Sequence, residues 1–290
     1  MLEHENIVRI FDVGEHNGQP FIAMEYVDGD TLASLIRDQV PIPLLKKLEW
    51  VEQLCDALAY AHAHGIVHRD IKPLNLIIER RRQRLKVLDF GIAKVANSGI
   101  TTAGMMIGTA NYMSPEQMRG DAAIDHRSDI FSVGATVFEL LTGTRAFPGS
   151  ITDGLMGRIM VQPAPSALAL APGLPEELGG ILARALEKDP NDRYGDLVQM
   201  RDEVRALRYR LKEVDDRTVM MPTPGGTERG VAPGTSAGRT AVGRTATGPP
   251  TPAMTAGGVP VPPPLAAATS ARPATVAEAV PTRASVPASM

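Results

Sequence analysis

The sequence contains one cysteine, Cys55, among its 290 residues. A single thiol supports neither an intramolecular disulfide framework nor a CxxC metal site, so we expect a reducing compartment, the cytoplasm. The spacing of its neighbours predicts that Cys55 is buried and unreactive. No apolar run approaches the roughly 18 residues that a membrane-spanning helix needs, and the opening residues MLEHEN are too polar for a signal peptide.

The excess of acidic over basic residues is also small. The formal net charge is -3, and 43% of the residues are hydrophobic. A chain of this composition can bury a sizeable core, and nothing in its charge requires a polyanionic partner. The composition therefore predicts a globular protein that binds no nucleic acid.

Aromatic residues are absent from residues 217–290, where Pro, Gly, Ala, Thr and Ser dominate. Such a segment buries too little apolar area to offset its conformational entropy. We therefore expect a folded domain over residues 1–213 and a disordered tail over residues 214–290. The tail is either a plain linker or a docking segment with partners of its own, for which Thr223-Pro and Thr251-Pro are candidate motifs.

The folded part reads as a small β element followed by helices. A hairpin is expected from Ile7–Gly14 and Pro20–Val27, and two further strands from Asn75–Ile78 and Leu85–Leu88. Apolar spacing and breaker residues predict the helices. Their expected bounds are Asp30–Asp38, Leu44–His64, Arg127–Thr142, Asp153–Met160, Pro175–Glu187 and Gly195–Glu213.

The stretch GIVHRDIKPLNLIIE places cationic, anionic and amide side chains between two apolar runs. Pro73 and the absence of helical periodicity predict a loop, where Asp70, Lys72 and Asn75 can converge on a ligand. Nineteen residues after Asp70, in the stretch VLDFG, Asp89 comes at the end of an apolar strand, and SPE follows at Ser114–Glu116.

In this order and spacing, HRDIKPLN, DFG and SPE closely resemble the catalytic segments of eukaryotic-like protein kinases. Lys72, two residues after Asp70, resembles the serine/threonine branch, and EYVDGDTL and GTANYMSPEQ are most similar to bacterial members. The resemblance extends from about Leu2 to Leu211. It implies an α+β, kinase-like fold, with residues 1–27 as part of a small β lobe and residues 28–213 as hinge and helical lobe.

The resemblance implies ATP and Mg²⁺ as cofactors and the serine and threonine hydroxyls of proteins as acceptors. Asp70 would orient or accept the hydroxyl proton, and Lys72 would hold the transferring phosphate. Asn75 and Asp89 offer hard oxygen ligands for Mg²⁺. Each of these residues alone is more often an ordinary loop residue, and it is the combination at family spacing that favours catalysis.

The same resemblance assigns the adenine site. Met24 would be the gatekeeper, and the main chain of Glu25 and Val27 would meet the adenine edge. Ile77 and Leu88 would line the pocket, although an apolar residue at either position is equally an ordinary core residue.

Other matches concern regulation. Arg69 resembles the arginine that receives a phosphate from the loop between Asp89 and Glu116, in which Thr101 and Thr102 are candidate acceptors. Thr109 resembles the threonine that contacts the catalytic Asp and Lys.

Two matches are structural. Asp129 would hold the catalytic loop backbone, and Glu116 would pair with Arg193. For His62 and His64, packing or capping is favoured over metal binding, because no carboxylate or cysteine spacing accompanies them.

A glycine-rich loop, a strand lysine and a helix glutamate would precede the LEHENIV motif in this family, and no GxGxxG occurs in the sequence. We therefore expect the sequence to be an N-terminally truncated form of an active serine/threonine kinase, and residues 1–290 alone to transfer phosphate poorly. The alternatives are a kinase-like binding or scaffold module and, disfavoured by the SPE segment, a small-molecule phosphotransferase.

Overall fold

The computed structural model describes residues 2–17, 19–89 and 110–220, with side chains as far as residue 214. These residues belong to one compact unit, Met1–Gly226. The predicted positions Thr101, Thr102 and Thr109, and the tail after residue 220, lie outside the described residues.

The small β element is a two-stranded antiparallel hairpin, with β1 at Ile10–His16 and β2 at Gln19–Met24. Asn17, with φ 53°, takes the left-handed backbone conformation that a tight hairpin turn requires. Both strands lie closer to this turn than predicted. Ile7 instead forms an isolated parallel bridge with Val87.

A three-stranded sheet lies in the order β3, β4, β5. Its strands are Gly29–Thr31, Leu76–Glu79 and Leu85–Val87, and both pairings are antiparallel. The sequence predicted β4 and β5 but not β3, because Gly-Asp-Thr carries no apolar alternation. Thr31 then caps the first helix by accepting a hydrogen bond from the backbone N–H of Ser34.

Eight helices follow in the described residues. They are α1 Leu32–Arg37, α2 Leu44–Ala63, α3 Pro115–Arg119, α4 Arg127–Thr142, α5 Leu155–Val161, α6 Ala167–Leu170, α7 Glu176–Ala185 and α8 Leu197–Met220. Short 3₁₀ turns lie at Pro73–Asn75, Ala110–Tyr112 and Ile151–Asp153. The fold is α+β, as predicted.

Helix α8 continues to Met220, past the helix end that the sequence predicted at Glu213. The segment from Val214 to Met220 contains neither Gly nor Pro, and Pro222 is the first strong helix breaker after it.

The core lies among α2, α4, α7 and α8, and α4 is buried on nearly every side. Cys55 is fully buried on α2, as its spacing predicted, and burial raises the pKa of its thiol. Within the described part of the chain, no helix is long and apolar enough to cross a membrane.

Candidate active site

The loop between α2 and β4 is held in place by Asp129, which lies on α4 and is fully buried. Its carboxylate accepts hydrogen bonds from the backbone N–H groups of His68 and Arg69, each at 2.8 Å. His62 Nε2 lies 2.8 Å from the same carboxylate. One buried acid therefore fixes the start of the polar block and also contacts His62.

Arg69 has φ 64°, a left-handed conformation that is costly for a residue with a side chain. Its N–H donates to Asp129, and its carbonyl accepts a hydrogen bond from Gln117 Nε2 at 2.8 Å. These two contacts hold the strained residue from both sides. Sequence reasoning did not single out Gln117, whose signal was the capping box that it forms with Ser114 at the start of α3.

Asp70 lies at the centre of the site. Lys72 Nζ lies 2.9 Å from Asp70 Oδ2, and Asn75 Nδ2 donates to the Asp70 carbonyl at 2.8 Å and to Oδ2 at 3.1 Å. The side chains of Asp70 and Lys72 are 19% and 14% exposed, so the group is shielded from water but still reachable. The structure thus brings together the three side chains predicted to be catalytic.

Asp89 is the second residue after β5 and is exposed, with φ 49°. The preceding residue, Leu88, donates its N–H to the Asn75 carbonyl at 2.8 Å. This bond joins the end of β5 to the 3₁₀ turn that carries Asn75. The two predicted metal ligands are therefore on adjoining segments.

His68 connects the same elements and was not among the predicted site residues. Its Nδ1 accepts a hydrogen bond from the Asp70 N–H at 3.2 Å, and its Nε2 lies 2.8 Å from the Leu88 carbonyl. This arrangement requires a proton on Nε2 and none on Nδ1, which is the neutral imidazole. Burial lowers the pKa of His68 and favours the same form.

The oxygen donors fit Mg²⁺ better than a softer metal. Asn75 and Asp89 supply an amide and a carboxylate oxygen, and Mg²⁺ commonly takes only one or two protein ligands, filling its shell with water and phosphate oxygens. Among the described residues, no group of three or more His, Cys, Asp or Glu side chains could hold a metal by itself. The donor set is therefore suited to a metal that arrives with a phosphate ligand.

Of the predicted adenine-site residues, Ile77 lies on β4 and Leu88 directly follows β5, whereas Glu25 and Val27 follow β2. Met24 ends β2 and is 37% exposed, whereas Val27, Ile77 and Leu88 are half-buried. Half-buried apolar side chains can line a pocket that is open on one side.

An ion pair joins β5 to the segment after β2. Lys86 Nζ lies 2.8 and 2.9 Å from the two carboxylate oxygens of Glu25, and Lys86 is only 8% exposed. Burial would raise the pKa of Glu25, but the hydrogen bond from Lys86 and a backbone bond from Arg9 hold it below its usual value. The pair forms part of the wall of a cavity of about 620 Å³. Sequence reasoning assigned only the main chain of Glu25 and did not identify Lys86.

Glu116 and Arg193 form a bidentate, buried pair, with N–O distances of 2.8 and 2.9 Å. Arg193 also donates to the carbonyls of Arg127, Glu187 and Lys188, so its guanidinium is fully engaged. Although burial alone would raise the pKa of Glu116, Arg193 holds it below its usual value. This pair ties α3 to the segment before α8.

Comparisons with known proteins agree with this geometry. The model of the family described as "Protein kinase domain" matches residues 1–204. The probable serine/threonine-protein kinase PknB of Lactococcus lactis is 39% identical over 204 residues, which cover 70% of this chain and 32% of the relative. Serine/threonine-protein kinase PrkC of Bacillus subtilis is 36% identical over 231 residues, covering 76% and 35%.

Among solved structures, the chain is similar to a double mutant of the Mycobacterium tuberculosis PknI kinase domain. The TM-score is 0.58 at 30% identity, and the match covers 71% of this chain and 74% of the other. The predicted resemblance and fold are thereby confirmed. The chain spans about a third of the length of the curated relatives that it matches.

Proposed function

Because this chain belongs to the protein kinase domain family, we propose that it is a serine/threonine kinase, which transfers the γ-phosphate of ATP to hydroxyl groups of protein substrates. The observation that carries the proposal is the convergence of Lys72 and Asn75 on the Asp70 carboxylate, with Asp89 tied to the same turn through Leu88. Phosphoryl transfer needs mainly this kind of positioning and charge.

In the proposed reaction the acceptor oxygen forms a bond to the γ-phosphorus, the bond to ADP breaks, and the hydroxyl proton passes to Asp70. Lys72 and Asn75 orient the Asp70 carboxylate by donating to it, and the positive charge of Lys72 would hold the transferring phosphate. Mg²⁺, held by Asn75 and Asp89, would supply neutralisation of the phosphate charge.

The remaining predicted residues take supporting roles in this proposal. The adenine would lie among Met24, Ile77 and Leu88, against the main chain of Glu25 and Val27. His68 is buried in its neutral form, and its Nδ1 accepts a hydrogen bond from the Asp70 N–H. This contact supports a fixed orientation for Asp70.

Regulation would come from the segment between Asp89 and Glu116. A phosphate on Thr101 or Thr102 would bind Arg69, and Thr109 would contact Asp70 and Lys72. Asp129, Glu116 and Arg193 would position the loop without touching substrate. We further propose a cytoplasmic location and protein partners for the tail.

The test is phosphate transfer from radiolabelled ATP to a protein acceptor by the full chain, for which we expect a low but measurable rate. Replacing Asp70 by Ala should lower the rate by a factor of about 10² to 10⁴, the usual contribution of a positioned base. Asp125→Ala, which removes an acid beside α4 that pairs with Arg127, should leave the rate within about twofold, since exposed ion pairs contribute little. Equal rates for the wild type and Asp70→Ala would contradict the proposal.

A binding or scaffold role is the second candidate, and the hairpin favours it. Phe11, Val13 and Phe21 on β1 and β2 are 59%, 55% and 43% exposed, which is unusual for large apolar side chains grouped on two strands. If the chain binds a protein partner through the hairpin and Asp70→Ala changes neither that binding nor any measured transfer, the scaffold role is the correct one.

A further inference from the structure

The cavity of about 620 Å³ beside Lys86 lies where the first residues of the chain meet β1 and β5. Its volume is within the range of roughly 300–1,000 Å³ that is usual for small-molecule sites. Its apolar lining consists of Leu2, Ile7 and Phe11. Apart from Glu25, none of the residues proposed to bind adenine lines it. The cavity is therefore a separate concave surface with an apolar wall.

The rest of the lining is charged, and most of its carboxylates are already paired. Lys86 Nζ contacts both carboxylate oxygens of Glu25, and the Arg84 guanidinium lies 2.9 Å from the Glu5 carboxylate. The remaining carboxylate of the lining is that of Glu3, which forms no ion pair with the described residues. Only Glu3 is thus left to balance the other cations of the cavity.

Those other cations are Arg9 and Arg82. Among the described residues Arg82 pairs with Glu79 alone, at 4.0 Å, and its side chain is 68% exposed. The Arg9 backbone N–H donates to Glu25, but the Arg9 guanidinium forms no ion pair within the described ranges. His4 adds no charge at neutral pH, because burial lowers the pKa of its imidazole. Two guanidinium groups beside an apolar wall therefore lack a carboxylate at hydrogen-bonding distance.

We propose that this cavity binds a small apolar carboxylate, whose hydrocarbon body packs on Leu2, Ile7 and Phe11 and whose carboxylate pairs with Arg9 and Arg82. A guanidinium suits this anion because its parallel N–H groups match the two carboxylate oxygens. A neutral ligand of the same shape would gain the apolar contact alone, and a cationic ligand would meet a surplus of positive charge. The inference does not depend on the proposed kinase function.

The test compares matched probes that differ only in charge: naphthoate, its neutral amide naphthamide, and the cation naphthylmethylammonium. The full chain, labelled with ¹⁵N in its arginine side chains, is titrated with each probe. The Nε–H signals then report on individual guanidinium groups. The signals of Arg9 and Arg82 are identified by their loss in Arg9→Gln and Arg82→Gln.

We expect naphthoate to shift the Arg9 and Arg82 signals and to bind about fivefold more tightly than naphthamide, the upper value for exposed ion pairs. Naphthylmethylammonium should bind most weakly. Arg9→Gln and Arg82→Gln should each weaken naphthoate binding about twofold and leave naphthamide binding unchanged. The matched control is Arg80→Gln, which should change neither. Arg80 belongs to the same basic run but pairs with Asp28 and Asp30 and does not line the cavity.

Equal affinities for naphthoate and naphthamide, unshifted Arg9 and Arg82 signals, or an effect of Arg80→Gln as large as that of Arg9→Gln would each overturn the inference. Arg9 signals that move with protein concentration before any probe is added would also overturn it, because a second copy of the chain would then occupy the cavity. Glu3→Gln removes the remaining carboxylate and should tighten naphthoate binding about twofold. Unchanged or weaker binding in Glu3→Gln would contradict the assigned carboxylate position.

Discussion

The helical body around α4 and the β1–β2 hairpin differ in how far their side chains are buried and hydrogen-bonded. In the body, Asp129, Glu116 and Arg193 are buried charges, and each is engaged by several hydrogen bonds. In the hairpin, Phe11 and Val13 are apolar but more than half exposed. The body therefore holds its side chains in place by its own contacts, whereas the position of the hairpin depends on its contacts with the body.

Strand β5 provides several of the contacts at that junction. Val87 exchanges backbone hydrogen bonds with Asn6 and Val8, and Lys86 pairs with Glu25. Because β5 also leads into Asp89, one short strand connects the proposed metal ligand with the proposed adenine segment. The comparison indicates that the proposed catalytic residues are positioned by the body, whereas the proposed nucleotide site depends on β5.

The largest effect should come from breaking the buried pair in the body. Arg193→Met leaves the Glu116 carboxylate buried without its partner, and we expect the free energy of unfolding to fall by about 3–5 kcal/mol in urea denaturation. Arg119→Met, which breaks an exposed pair with Asp121 on the same side of the body, should change it by less than about 1 kcal/mol.

Adding Glu116→Leu to Arg193→Met should restore much of the loss, because no buried charge is then left unpaired. If Arg193→Met and Arg119→Met prove equally mild, the contrast between a fixed body and a loosely held hairpin has no energetic basis.

Asp129→Asn should have the next largest effect. The amide keeps the size of the side chain but weakens its bonds to the His68 and Arg69 N–H groups, and the usual value of bonds to a charged group predicts a loss of about 2–3 kcal/mol. Amide hydrogen exchange should accelerate at these two residues. Unchanged exchange there would show that the loop is held by other contacts.

The sequence predicted those parts of the molecule in which periodicity or motif spacing acts locally. The bounds of α4 were predicted as observed, since Arg127–Thr142 has a continuous apolar pattern that ends at Gly143, with φ 73°. The spacing of Asp70, Lys72 and Asn75 likewise predicted a convergent site. β3 was missed because its strand character comes from pairing with β4, which three residues of sequence do not reveal.

The role of His68 was also missed, because it depends on the Leu88 carbonyl, twenty residues away. The pair between Lys86 and Glu25 is separated by 61 residues, and no motif connects the two. The sequence therefore identified the chemical groups, whereas the bonds that orient them required the fold.

Breaking the junction should have a smaller and local effect. Lys86→Met removes a partner from Glu25, whose side chain is 34% exposed and can turn towards water, so we expect a cost of about 1 kcal/mol. Amide exchange over residues 24–27 should accelerate about fivefold, and exchange in α4 should not change. The control is Arg84→Met, at the residue directly before β5, because Arg84 pairs with the exposed Glu5 and should affect residues 24–27 less. Equal acceleration throughout α4 would mean that hairpin and body open together.

The smallest effect concerns an unpaired charge inside the body. Lys188 Nζ is buried without a hydrogen-bond partner in the described part of the chain, and it lies 4.0 Å from the centre of the Phe147 ring. Desolvation and repulsion from Arg193, opposed by Glu187, lower the pKa of Lys188 to about 8. In the unfolded chain Lys188 has the ordinary pKa of 10.5, so between pH 8 and 10.5 the unfolded chain binds more protons than the folded one. The contribution of Lys188 to the free energy of unfolding therefore rises with pH over this range.

Lys188→Met should therefore stabilise the protein by about 1 kcal/mol at pH 7, a value discounted for partial exposure, and the difference from the wild type should shrink as the pH approaches 10. Urea denaturation at several pH values measures this difference, in which the other titrating groups, such as Tyr112 and Tyr194, cancel. Lys212→Met, at an exposed position on α8, is the control and should show no such trend. A difference that stays constant with pH would mean that the ammonium of Lys188 is as well accommodated on the aromatic rings as in water. The body would then tolerate buried charge without ion pairing, contrary to the role assigned to Glu116 and Arg193.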